Sequence, residues 1–110
     1  SQQHKAERRK RIASLNYKAG VKAMGCSAFA PALGYLQTAI RLLPDDHWRS
    51  DFQLSLDIYS TAAECASIIP ETKLMHQYCT TIIGLDCPIL KKMRAYYILM
   101  DASSVQVTNN

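Results

Sequence analysis

Glycine and proline are scarce in this chain, four of each in 110 residues. Few backbone breakers mean long uninterrupted segments, and the breakers sit mainly where helices should stop. No run of eighteen apolar residues occurs, so no membrane-spanning helix is expected. The first twenty residues lack an apolar core segment, so no signal peptide is expected. The four cysteines, Cys26, Cys65, Cys79 and Cys87, include no C-x-x-C pair. Without a secretory context they read as reduced thiols of a cytoplasmic protein. There is no G-x4-G-K-[ST] loop for phosphates and no H-R-D or D-F-G kinase motif. The chain opens on Ser1 without an initiator Met, and reads as a processed product or a piece of something longer.

What is present is an ordinary globular composition, 48% apolar and 20% charged. The length fits a single domain, 1–110, with residues 1–4 frayed and a polar tail over about 103–110. The net charge of +4 is uneven. Lys5, Arg8, Arg9, Lys10 and Arg11 supply five of the thirteen Lys and Arg, and the remainder of the chain is close to balanced. Basicity is therefore a property of one end.

Helical periodicity runs through most of the length. A first helix is expected from about Lys5 to Met24, with Ile12, Leu15, Ala19 and Ala23 as its stripe and Tyr17, Gly20 and Met24 as a neighbouring row. Gly25 is placed to end it in a left-handed cap. Pro31 suits the first turn of a second helix whose apolar face is Ala32, Leu36, Ala39 and Leu43. Pro44 forces Leu43 out of the helical region. Asp45 and Asp46 can cap a third helix from about Asp46 to Ala66. That helix carries two apolar rows: Trp48, Phe52, Leu56, Tyr59, Ala63 and Ala66, and Leu54, Ile58, Thr61 and Cys65. A helix apolar on two sides should be sandwiched between neighbours. A fourth helix is expected over Glu71 to Ile83, closed by Gly84. A fifth should start near Pro88 with Ile89, Met93, Tyr97 and Met100 as its stripe. With no partner helix after it, that stripe should cover the fourth helix or be completed by another chain or domain.

The first, third and fifth helices start about forty residues apart, a spacing typical of helical-hairpin arrays. Tyr17 and Tyr59 occupy matching places. Ala32, Leu36, Ala39 and Pro44 echo half of the tetratricopeptide pattern, with Gly20 where its small residue falls. The expected fold is all-α: about five helices stacked as antiparallel hairpins in a tetratricopeptide-like, right-handed array.

A more specific likeness rests on Leu15-Asn16, Ala19-Gly20, Lys22-Ala23, Ser27-Ala28-Phe29, Ala32, Tyr35-Leu36, Leu42-Leu43, Trp48, Leu56 and Tyr59, and further on Lys91 to Tyr97. In these positions the chain resembles the helical region that follows the AAA-type ATPase module of large serine/threonine kinase and sensor histidine kinase signalling proteins. It departs from them at Ile68-Ile69-Pro70-Glu71, where that family has a Gly-Asp-type turn. The resemblance implies a non-catalytic arm whose partner is the neighbouring ATPase or kinase domain, or a second copy. The family's activities do not carry over, since their motifs are absent here.

Candidate chemistry is sparse. His76 and Cys79 lie three apart but do not make four zinc ligands. Nothing orients a Cys–His pair as nucleophile and base. Asp45 and Asp46 are explained by capping, and the aromatic row Trp48, Phe52 and Tyr59 by core packing. No enzyme, metal or cofactor is expected. The basic run Lys5, Arg8, Arg9, Lys10 and Arg11 is the one candidate binding patch. It reads as a solvated helical face or, as the alternative, a nucleic-acid contact, though no aromatic residues interleave with it for base stacking.

Overall fold

A computed structural model describes residues 1–109 of the chain, and the side chains of residues 1–102. It is all-helical, with no strand among the described residues. The six α-helices are α1 (Gln2–Gly25), α2 (Phe29–Leu42), α3 (His47–Ser50), α4 (Phe52–Ile68), α5 (Thr72–Ile83) and α6 (Met93–Asn109). A 3₁₀ turn, Ile89–Lys92, leads into α6. The molecule measures 54 × 32 × 19 Å. Its thinnest dimension is about two helix diameters, so the helices lie in roughly two layers.

α4 is the centre of the packing. It lies against α2 on one side and α5 on the other, with α6 alongside. The two apolar rows legible in its sequence go to separate places. Leu56, Ala63 and Ala66, with Trp48, Phe52 and Tyr59 partly buried beside them, join Met75, Cys79, Ile82 and Ala95 from α5 and α6. Ile58, with Leu54, joins Ala13, Ala39 and Leu43, and Cys65 joins Ala32, Leu33 and Leu36. Three polar residues of α4, Ser55, Ser60 and Thr61, are buried, and among the described residues no fully buried side-chain N or O lacks a partner.

The single third helix expected from Asp46 to Ala66 is two helices, broken at Asp51 (φ −152°, ψ 69°). Ser50 and Asp51 are weak helix formers. The Asp51 carboxylate is drawn out to Lys10 Nζ at 2.9 Å, and Ser55 Oγ lies 2.7 Å from the Asp51 carbonyl and 3.1 Å from that of His47. The expected side-chain cap does not form there. Asp46 stands at the N-cap of α3, but its oxygens face Ser50 and Arg49 instead of the helix N–H groups.

Several boundaries differ from expectation. The first residues are helical, with Ser1 as N-cap accepting from the His4 N–H. At the other end of α1 the left-handed residue is Ser27 (φ 59°), two positions after Gly25. Ala28 N–H bonds to Ala23 O at 2.8 Å and Ser27 N–H to Met24 O at 2.9 Å, the paired bonds of a Schellman motif. A serine there carries the left-handed penalty that glycine avoids. Ser27→Gly should therefore raise the unfolding free energy by about 0.5–1 kcal/mol once the added freedom of the unfolded glycine is subtracted. Urea denaturation midpoints at unchanged slope check this.

The stretch expected as a polar tail falls within the bounds of α6; its side chains, and Asn110, lie outside the described residues. Two faces are also exchanged. On α1 the buried row is Ala13, Tyr17, Gly20 and Met24, while Ile12 and Leu15 are exposed. On α6 the inward row is Ala95, Ile98, Leu99 and Ala102, while Tyr97 and Met100 point out. In both helices the buried row carries a small residue, Gly20 or Ala95, where a neighbour approaches closely. A Cβ on Gly20 would lie 2.8 Å from Leu36 Cγ.

Candidate functional site

The five basic residues of the N-terminal run are divided by the fold. Arg9 reaches across to the end of α2, where its Nε and Nη2 donate to the carbonyls of Leu42 (3.2 Å) and Arg41 (3.0 Å). Those carbonyls end a helix and carry its partial negative charge, which a guanidinium satisfies. Lys10 pairs with Asp51, and that partner holds its ammonium above the ordinary lysine value. Lys5, Arg8 and Arg11 make no ion pair among the described residues. The run thus holds two adjacent cations engaged by the fold, Arg9 and Lys10, flanked by three that make no ion pair among the described residues.

The aromatic row is brought together. Trp48 lies 5.9 Å from Phe52 and 5.0 Å from Tyr59, and Tyr59 meets Tyr78 edge-on at 5.8 Å. These rings pack on the α4–α5 core. His47 stacks on Tyr59 at 6.0 Å, and its Nδ1 is 2.8 Å from Ser55 Oγ. Burial holds the His47 imidazole below its ordinary value of 6.5, against the opposing pull of Asp46 and Asp45. The folded state therefore favours the neutral ring, while the unfolded chain takes up a proton at higher pH. Stability should be fullest above that ordinary value and fall as the pH drops through it. Thermal midpoints from about pH 7.5 to about pH 5.5 should decline, with the slope flattened in His47→Gln. An equal slope in both proteins would rule His47 out as the cause.

His76 and Cys79 do not face one another. His76 is exposed, and Cys79 points into the α4–α5 core. All four cysteines are free thiols. Burial pushes the Cys79 thiol up to about 11 and raises that of Cys65, whose S–H donates to the Phe29 carbonyl. Cys26 is exposed and Cys87 half-buried. A thiol reagent applied to the native protein should modify Cys26 fastest and Cys87 next; Cys65 and Cys79 should react only on unfolding. Peptide mapping after timed labelling gives the order.

A groove beside α6 was not anticipated. It has a volume of about 530 Å³ and lies between the end of α4, the start of α5 and α6. Ile68, Pro70, Met75, Tyr97 and Ile98 line it, and an Arg94–Glu64 ion pair bridges its rim. Tyr97 is exposed there, as are Met100 on the same helix and Ile89 and Leu90 in the turn before it, Leu90 to 80%. The sequence did carry a sign of it. Ile68-Ile69-Pro70 puts two large apolar residues and a proline at the end of α4, and Ile68 and Pro70 line the groove. Among the described residues no three His, Cys, Asp or Glu side chains converge. No helix among the described residues is long and apolar enough to cross a membrane.

Comparison of the chain with protein-family models, with curated proteins and with solved structures gives no match.

Proposed function

We propose that this chain is a non-catalytic protein-interaction module: a tetratricopeptide-like, right-handed array of antiparallel helical hairpins. α1 pairs with α2, α3–α4 with α5, and α6 opens the next unit. Two contacts support the first pairing. Arg9 near the start of α1 touches the end of α2, and Gly20 near the end of α1 faces Ala32, near the start of α2, and Leu36 at its middle. The observation that carries the reading is the uncovered face of α6. Tyr97 and Met100 are 58% and 61% exposed on a helix whose other side is packed in the core. In an array, the next helix covers such a face. Following the likeness in its sequence, the module is the cytoplasmic arm after an ATPase in a signalling protein. It couples nucleotide state to a kinase output, and its partner is the adjoining ATPase or kinase domain. The reading frame that encodes it provides the test. A G-x4-G-K-[ST] loop upstream in the same frame is the expected finding; a frame confined to this domain would overturn the ATPase-arm reading.

Lys5, Arg8 and Arg11 favour a second reading, a small nucleic-acid-associated protein. A phosphate contact of that kind weakens steeply and log-linearly with salt. Because Arg9 and Lys10 are held by the fold, the slope would correspond to about three phosphates rather than five. An apolar contact on the α6 face shows no such slope.

A further inference from the structure

The outward face of α1 is a helix seam without a helix on it. Ile12, Leu15 and Ala19 fall at spacings of three and four, and Arg8 and Lys22 continue the same spacing on either side. This is the opposite side of the helix from Ala13, Tyr17, Gly20 and Met24, which pack on α2. The seam is exposed at Leu15, to 63%, and at Ile12, to 39%, and half-buried at Ala19. Arg11 and Lys18 stand along one flank, both exposed. The only acidic residue of α1 is Glu7, ahead of the seam.

We infer that this face docks an acidic amphipathic helix of a protein partner. An apolar strip at spacings of three and four accepts the matching strip of a second helix. Cations beside such a strip choose a partner with Asp or Glu in the facing positions. The long stems of Arg8, Arg11, Lys18 and Lys22 can lie along the strip while their charges stay in water. The strip is too narrow, and too poor in aromatic residues, for burial in a lipid interface. A phosphate-binding face would have cations, not Leu15, at its centre. A second copy of this chain is disfavoured, since its acidic pair on one helix, Asp57 and Glu64, sits on α4 at the centre of the packing, with Glu64 already paired to Arg94. This inference rests on reading the chain as an interaction module, but it concerns the opposite end from α6.

The test uses the whole chain and a helical peptide of about three heptads, with Leu along its seam and Glu on both flanks. NMR titration should shift α1 resonances. Arg11→Glu/Lys18→Glu should weaken binding about tenfold or more, and Leu15→Gln should do so by a similar factor. Lys73→Glu/Lys91→Glu makes the same change in net charge at exposed sites elsewhere and should leave binding within about twofold. Circular dichroism verifies that each variant keeps its helix content. Absence of binding would overturn the inference, as would equal weakening by the control pair or indifference to Leu15→Gln. Tighter binding of α1 to duplex DNA or to anionic phosphatidylserine vesicles than to the peptide would overturn it as well. Since α6 is untouched in all these variants, failure at α1 with the α6 face still associating would refute this inference alone.

Discussion

Leu36→Ala should lower the unfolding free energy by about 2–5 kcal/mol. Leu36 is fully buried where α1, α2 and α4 meet, packed with Ala32, Leu33, Ala62 and Cys65 and beneath Gly20. Of its buried neighbours, Ala32, Ala62 and Cys65 are too short to collapse into the vacated space, and the larger side chains on this cluster, Tyr17, Met24 and Phe29 among them, are only partly buried. The loss should therefore fall in the upper part of that range. A domain of this size has about 5–15 kcal/mol in total, so a large share of its stability is at risk. Urea unfolding followed by circular dichroism measures it. A change within about 0.5 kcal/mol would mean that α1 and α2 do not pack on α4 in this way.

Gly20→Val should cost about 3 kcal/mol by the opposite route, overpacking. A Cβ at Gly20 already lies 2.8 Å from Leu36 Cγ and 2.9 Å from its Cδ2. The two branches of valine go further into the same wall. Leu36 cannot swing aside, because it is fully buried. Even Gly20→Ala, which should gain about 1 kcal/mol of helix propensity, meets that contact. The two sites must therefore couple. In Gly20→Ala/Leu36→Ala the space opened at Leu36 takes up the new methyl, so the pair should be less damaging than the two single changes added together. Simple additivity would show that Gly20 does not set the α1–α2 separation.

The legibility of the sequence varied with the pattern of each helix. α4 was readable because its two apolar rows are separated by polar positions such as Gln53, Asp57 and Glu64. Two rows imply a helix sandwiched between neighbours, and in the fold they do go to separate clusters. α2 was readable because Pro31 and Pro44 bracket it, and Leu43 adopts the extended backbone that Pro44 demands (ψ 138°). On α1 and α6 the apolar residues occupy more than one face, and periodicity alone favours the larger side chains. The fold chose the faces with Gly20 and Ala95, since close approach of two helix backbones needs small residues. Ile12, Leu15, Tyr97 and Met100 were left in solvent.

The site was less legible than the fold. Nothing local in Lys5 to Arg11 separates a cation that caps α2 from one that is free. The distinction depends on contacts such as that between Arg9 and Leu42, 33 residues apart. The break at Asp51 follows from the same kind of distant contact, with Lys10. The groove beside α6 depends on how α6 is rotated, and that rotation was the part of the pattern with two solutions.

The claim at the centre of this account is that α6 presents a face built to be covered. Sedimentation velocity of the chain, from micromolar to millimolar concentration, tests it beside Tyr97→Lys/Met100→Lys. Both substitutions sit on exposed positions and should leave the thermal midpoint nearly unchanged. The account predicts concentration-dependent association of the native chain that the double variant abolishes. A native chain that stays monomeric across the whole range, or a variant that associates equally well, would contradict it.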